Sequence, residues 1–260
     1  DPIAVLDYAS LYPSSIIEKN ISHETLIEDI SLLPIIGEDN YEKIEYQNWC
    51  YINTGKGDTI EKKLGDGMTT CYFLKKEFMK SKNIIENLKE GEEPMGIIPA
   101  VLRQLLDARN ATKKRMKSAT DEFKKKVLDG LQLAYKVTAN SVYGQLGAKT
   151  STIFKMMLAA CTTSVGRSRI DDASFGVKEW SRRKYGKDYP EPDVVYGDTD
   201  SVFVKFSRLK DGKLLIGKEA LAHCIQCGQE AGDYITHGKL ISENDDGSLS
   251  EEKDEPILNH

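Results

Sequence analysis

The stretch Val194-Val195-Tyr196-Gly197-Asp198-Thr199-Asp200-Ser201-Val202-Phe203 decides the fold. One apolar run stops at Gly197-Asp198 and another starts at Val202. Gly-Asp is favourable turn chemistry, so the string reads as a β-hairpin with its acids at the tip. Working outward to the start of the chain, Val5-Leu6-Asp7-Tyr8-Ala9-Ser10-Leu11-Tyr12-Pro13 is a second strand-like run that stops on a carboxylate. Buried carboxylates are costly unless something positive neutralises them. If the two runs lie side by side in one sheet, Asp7 and Asp200 converge, and a divalent metal pair is the natural counter-charge. Acids at i and i+2 of a strand share a face, but a tight turn separates their directions, so only one of Asp198 and Asp200 needs to reach the metal.

The hairpin string has other readings. It is good chemistry for an ordinary acidic turn. Asp-x-Asp-x-Val after an apolar strand resembles a haloacid-dehalogenase-type phosphatase nucleophile, which needs a doubly wound domain where only about 60 residues follow. Asp-x-Asp also resembles the metal motif of nucleotide-sugar glycosyltransferases. That reading leaves the Asp7 segment and the basic helices unexplained.

The chain has 260 residues, 40% hydrophobic and 30% charged. These values fit a globular protein of one large or two small domains, not disorder. No apolar run nears the ~20 residues that cross a bilayer, so no membrane role is expected. No signal-peptide pattern opens the chain, and an intracellular setting is expected. Asp1-Pro2-Ile3 leads straight into the first strand and Pro256-Ile257-Leu258-Asn259-His260 ends abruptly, as in a piece excised from a longer polypeptide. Five cysteines argue against a disulfide framework and for a reducing compartment. Cys224-x-x-Cys227 has no second pair at metal spacing, which leaves its role open. Asn20-Ile21-Ser22 and Asn110-Ala111-Thr112 match glycan acceptors by chance.

The net charge of −5 hides an asymmetry. Between Ile97 and Lys126, nine basic residues against three acids give +6, whereas Glu243 to Glu255 is acidic and reads as a loop. Residues 1–20 read as a strand, a turn at Pro13 and a short helix. Gly55, Gly57, Gly65 and Gly67 punctuate two β-like runs, Gln47 to Asn53 and Met68 to Leu74, which suggests a hairpin with a long loop. Gly91-Glu92-Glu93-Pro94 is a break. Helices are expected at about Pro99–Ser118, Asp121–Tyr143, Thr162–Trp180 and Lys218–Thr236, with a hairpin return at Leu214–Ile216. The first two helices, joined by a short link, form an antiparallel hairpin. In the second, Val127, Leu131, Ala134 and Val137 share one side.

Lys136, Asn140 and Tyr143 fall at i, i+4 and i+7 of that second helix and occupy one face. Gly144 permits close approach by a substrate. Arg109 and Lys113 add two cations at i and i+4 of the preceding helix. Phosphates repel metal-binding acids, so a nucleoside triphosphate needs such compensation. Backbone N–H groups at the Ser10-Leu11 turn suit phosphate oxygens. Tyr12 packed beneath a bound sugar would leave no room for an extra hydroxyl, although a Tyr between apolar neighbours is more commonly a core residue.

Jointly these strings form a resemblance. Asp7-Tyr8-Ala9-Ser10-Leu11-Tyr12-Pro13-Ser14 resembles motif A of family B DNA polymerases. Lys136-Val137-Thr138-Ala139-Asn140-Ser141-Val142-Tyr143-Gly144 resembles their motif B, and Tyr196-Gly197-Asp198-Thr199-Asp200-Ser201 their motif C. Order and spacing match as well. The helix with Leu105-Leu106-Asp107-Ala108-Arg109 and Lys113 resembles the first fingers helix. The resemblance covers nearly the whole chain and lies on the delta-like side. Its Tyr8-to-Ile17 wording is similar to polymerases of large DNA viruses, including those of algae.

The resemblance implies an α+β fold: an antiparallel palm sheet backed by helices, with an antiparallel two-helix fingers insertion. Residues 1–96 would be the first segment of the palm, 97–147 the fingers, and 148–260 the second segment of the palm with an acidic C-terminal loop. The preceding exonuclease domain and following thumb of the family would lie outside the span. The implied activity is DNA-directed DNA synthesis from dNTP on a primer-template, with two Mg2+ ions or Mn2+ in their place. Asp7, Asp200 and the Tyr8 carbonyl would bind the metals, supported by Asp198, Thr199 and Gly144. Tyr12 would be the gate against ribonucleotides. Arg109, Lys113 and Lys136 would hold the triphosphate, with Lys136 assisting the leaving pyrophosphate. Asn140 and Tyr143 would shape the base-pair pocket, and the Ser10 and Leu11 N–H groups would contact phosphate. A processivity factor is the expected partner of the full-length protein, and host nucleus or cytoplasm the expected place if it is viral. The alternative is a non-catalytic palm-like module in a replication assembly.

Overall fold

The computed structural model describes residues 1–53, 60–82, 84, 93–210, 212–243, 249–253 and 256–258. It is an α+β protein whose sheets are all antiparallel. In chain order the elements are β1 (Ala4–Asp7), α1 (Leu11–Glu18), α2 (Leu33–Ile36), β2 (Tyr41–Asn53), β3 (Ile60–Leu74), α3 (Lys76–Ser81), α4 (Ile97–Ser118) and α5 (Glu122–Gly147). There follow α6 (Met156–Tyr185), β4 (Asp193–Asp198), β5 (Ser201–Lys205), β6 (Leu209–Lys210), β7 (Lys213–Leu214), α7 (Gly217–His237), β8 (Lys239–Glu243) and β9 (Leu249–Lys253). Two compact units result: residues 1–9 with 166–260, and residues 10–165. Grouped by contact in this way, α4 and α5 fall with α1 and the β2–β3 hairpin, whereas motif spacing sets residues 97–147 apart.

The first unit is built on a three-stranded sheet in the order β1-β5-β4. Alternation along β5 sends Val202 and Val204 into the core, where Ala4 and Leu6 of β1 join them. α6 and α7 back this face through Ala173, Val177, Trp180, Cys224, Cys227, Ala231, Tyr234 and Ile235. Two glycines allow the close packing. A Cβ on Gly176 would lie 2.6 Å from Ile235 Cγ1, and one on Gly228 would lie 3.1 Å from Ala4 Cβ. The opposite face of β1 carries Val5 and Asp7, both exposed.

In the second unit, α4 and α5 form an antiparallel hairpin across the link at residues 119–121, with Arg109 beside Gln132. The Asp121 side chain caps α5 by accepting from Phe123 N at 2.9 Å. The start of α4 has no cap of its own. Instead one loop serves it: Asn20 Oδ1 accepts from Gly96 N at 2.7 Å, Glu24 Oε1 from Ile97 N, and Ser22 Oγ from Ile98 N at 3.3 Å. The core joins Ile16, Ile17 and Ile21 to Ile44, Phe73, Leu102, Ala139, Leu146 and Leu158.

Several expectations change. The Val127 side of α5 lies in solvent, with Val127 54%, Leu131 38% and Val137 60% exposed, while Leu128, Ala139 and Leu146 are buried. α5 carries more than one apolar stripe, and periodicity does not say which is covered. Gly65 and Gly67 do not end a strand. The register jumps from Gln47 opposite Met68 to Trp49 opposite Leu64, so these glycines mark a bulge inside β3. Pro13 lies in the first turn of α1, where its missing N–H costs nothing. The acidic end is not a simple loop, because Lys239 to Glu243 pairs with Leu249 to Lys253. α6 starts at Met156, ahead of the expected Thr162. Gly55, Gly57, Gly91 and Glu92 lie outside the described residues.

Candidate functional site

The acids gather at one end of the first unit's sheet. Asp7, the last residue of β1, pairs with Ser201, the first of β5. Asp198, the last residue of β4, pairs with the same Ser201 from the other side. Pairing continues one residue further, since Tyr8 N donates to Asp200 O at 2.8 Å. Register alone therefore sets Asp7 beside the hairpin tip that holds Asp200, as expected for neighbouring strands.

The tip is tightly wound. Asp200 N donates to Asp198 O across a single residue, Thr199, whose φ is +40. A β-branched residue rarely adopts a positive φ, which costs on the order of 1–3 kcal/mol. Neighbouring hydroxyls steady the bend: Thr199 Oγ1 donates to Asp198 Oδ1 at 3.1 Å and Ser201 Oγ to Asp198 O at 3.3 Å. Tyr8 turns its ring inward and donates its hydroxyl to Arg169 O at 2.6 Å.

Asp7 and Asp198 are exposed and Asp200 is half-buried, so the acids stand at the sheet's open end and not in the core. Their solvation removes any need for a metal to relieve burial. Affinity for a cation would come from convergence of oxygen donors, which suits a hard divalent ion. The donors expected here are two carboxylates and the Tyr8 carbonyl. Among the described residues, no group of three or more His, Cys, Asp or Glu side chains is placed to hold a metal.

The cationic and aromatic residues belong to the second unit. Ser10, which precedes α1, adopts φ 66 and ψ 56, a left-handed conformation unusual for serine. Its hydroxyl does not cap the helix but accepts from Arg109 Nη1 at 3.2 Å. Arg109 Nε reaches Gln132 Oε1 at 3.4 Å, and Gln132 Nε2 donates to Asp129 Oδ1 at 3.0 Å. A polar chain thus holds the guanidinium at the positive end of α1. Leu11 is buried, and with Ser10 it places backbone N–H groups at that end.

Tyr12 is not a core residue. It is half-buried, and its ring stacks on Tyr143 with centroids 4.1 Å apart and 21° between planes. The Tyr143 hydroxyl meets Thr163 Oγ1 at 2.8 Å. Lys136 and Asn140 are exposed on α5, and Lys113 is half-buried one turn beyond Arg109. A Cβ on Gly144 would meet nothing within 4 Å, so α5 is open to solvent at this position. Sequence reasoning missed Gln132 and Thr163. Gln132 lies at i−4 from Lys136, the spacing already noted for Asn140, and could have been read. Thr163 gives no signal.

Cys224 and Cys227 are buried in the first unit's core. Cys227 Sγ lies 3.5 Å from His223 Nε2 and 3.8 Å from the Tyr185 hydroxyl, and burial pushes its thiol up to about 11. A buried thiol held in its protonated form packs as a small apolar group.

Comparison with known proteins bears on these groups. The model of DNA polymerase family B matches residues 1–227. A "DNA polymerase" of Phaeocystis pouchetii virus is 36% identical over 91% of this chain and 24% of its own length. The corresponding protein of Pyramimonas orientalis virus is 36% identical over 89% of the chain and 20% of its own length. The DNA polymerase delta catalytic subunit of Candida albicans is 35% identical over 90% of the chain and 18% of its own length. The chain is also similar to the solved family B DNA polymerase of Pyrobaculum calidifontis, at 27% identity and a TM-score of 0.48, covering 79% of this chain and 20% of that one. The chain thus spans no more than about a quarter of the curated relatives it matches.

Proposed function

Because the chain belongs to DNA polymerase family B, we propose that it carries palm and fingers elements for template-directed DNA synthesis, adding dNTP to a primer 3′-hydroxyl. The observation that carries this reading is the register that pairs Asp7 with Ser201, the residue after Asp200, and joins Tyr8 N to Asp200 O.

Asp7, Asp200 and the Tyr8 carbonyl would hold two divalent ions, Mg2+ or Mn2+. When bound, these ions lower the pKa of the primer hydroxyl and neutralise phosphate charge. Asp198 and Thr199 fix the tip. Arg109, pre-positioned by Ser10 and Gln132, contacts the triphosphate with Lys113 and Lys136, and Lys136 assists departure of pyrophosphate. The Ser10 and Leu11 N–H groups take phosphate oxygens. Asn140 and Tyr143, with Gly144 leaving room, shape the pocket for the new base pair. Tyr12 excludes a ribose 2′-hydroxyl. Residues 97–147 act as the fingers, whose movement couples base pairing to chemistry.

Primer-template DNA, dNTP and a processivity factor are the partners of the complete polypeptide, acting inside the cell. No helix among the described residues is long and apolar enough to cross a membrane. The 260 residues alone bind primer-template weakly and extend it poorly. Single-turnover dNTP incorporation by the complete polypeptide tests the assignment. Asp200→Asn should lower the rate by 10³-fold or more, roughly 4 kcal/mol of barrier. Equal rates for variant and parent would remove Asp200 from the metal site, and no incorporation by the parent itself would favour the non-catalytic module.

A further inference from the structure

We propose that Thr163, on α6, is a positioning residue for sugar selection, acting through Tyr143 on Tyr12. This inference rests on the reading of Tyr12 as the gate against ribonucleotides. A flat gate discriminates only while its ring is held firmly. Tyr12 is held by its neighbour, because its ring stacks on Tyr143 at 4.1 Å with 21° between planes. A stack alone leaves Tyr143 free to slide in its own plane, since ring–ring contact is weakly directional. The hydroxyl removes that freedom by meeting Thr163 Oγ1 at 2.8 Å.

The direction of that bond follows from proton counting. A threonine hydroxyl has one proton and accepts on its oxygen. Thr163 Oγ1 donates to Ala159 O at 2.9 Å, one turn back in α6. Its lone pairs then accept, and Tyr143 is the donor. The bond to Ala159 also fixes the Thr163 rotamer, so the acceptor stands still. α5 cannot drift from α6 here either: a Cβ on Gly147 would lie 3.6 Å from Ala159 Cβ, and Lys155 N donates to Leu146 O at 3.0 Å. The result is a rigid relay from the α6 backbone through Thr163 and Tyr143 to Tyr12. Thr163 itself touches no substrate in this scheme.

The test is the ratio of kcat/KM for a deoxynucleotide to that for the matching ribonucleotide, measured with the complete polypeptide. Thr163→Val keeps the shape and removes the acceptor. It should lower the ratio about three- to tenfold, the span one hydrogen bond commands, chiefly through a lower ribonucleotide KM. Thr163→Ser should restore it. Tyr143→Phe breaks the same bond from the other side, and the double variant should be no worse than the more severe single one. Tyr12→Ala runs alongside. If it collapses the ratio while Thr163→Val and Tyr143→Phe leave it at the parent value, the relay is wrong and the gate stands. If Tyr12→Ala itself changes nothing, the gate reading fails and takes the relay with it. Should Thr163→Val not fold, Tyr143→Phe alone decides.

Discussion

Tyr12 shows how far one side chain's meaning depends on its neighbours. Between Leu11 and Pro13 it reads more readily as a core residue than as a gate. Its half-buried ring on Tyr143 supports the second. Tyr12→Ala should therefore raise ribonucleotide use about 10–200-fold relative to deoxynucleotide, the range that one small substrate group commands in a pocket. Competition between dCTP and CTP on one template would measure it, and an unchanged ratio removes Tyr12 as the gate. Arg109 makes a second case. Its guanidinium serves both Ser10 and Gln132, a geometry that a lysine point charge cannot reproduce. Arg109→Lys should raise the dNTP KM on the order of tenfold in steady-state kinetics, although the charge is kept.

At the scale of elements, the start of α4 and the face of α5 are the informative places. The loop at Asn20–Glu24 supplies the hydrogen bonds that α4 lacks, and Gly96 leaves space for it. A Cβ there would lie 2.6 Å from Ser22 Cβ and 2.9 Å from Glu24 Oε1. Gly96→Ala should cost about 1–3 kcal/mol, seen as a lower urea midpoint with an unchanged slope. On α5, Leu128 is 4% exposed and its neighbour Val127 is 54% exposed. Leu128→Ala should cost about 2–5 kcal/mol, whereas Val127→Lys should stay within about 0.5 kcal/mol. The reverse ranking would mean that the Val127 side is the covered one.

For the molecule as a whole, the first unit's core sets a pH window. Burial, then the charges of Lys210 and Lys184, hold the His223 imidazole below its ordinary 6.5. The unfolded chain then binds this proton more readily than the folded one, so stability is present above about pH 6.5 and is lost as pH falls from there through the lower value of the folded imidazole. Cys227 behaves oppositely. Burial lifts its thiol from 9.0 to about 11, and Tyr185 beside it is raised by burial as well. Ionisation favours the unfolded chain once pH exceeds about 9, so stability declines from there toward 11. Trp180, fully buried in this core, reports the transition. In a Trp49→Phe background, its urea midpoint should be flat between about pH 6.5 and 9 and fall on both sides. His223→Gln should flatten the acid side alone. A midpoint that does not change with pH would mean that these groups titrate alike in both states.

The residues themselves determined what is local here. Val194 to Phe203 encodes its own hairpin, because turn chemistry and alternation act within ten positions, and the 4–3 spacing of Lys136, Asn140 and Tyr143 fixes a shared helix face before any packing. The tertiary structure alone decided which stripe of α5 is covered, that Asp7 stands in solvent, and that Ser10 meets Arg109 99 residues away. Such pairings and exposures depend on how all the intervening elements pack, and no short window of side chains carries that information.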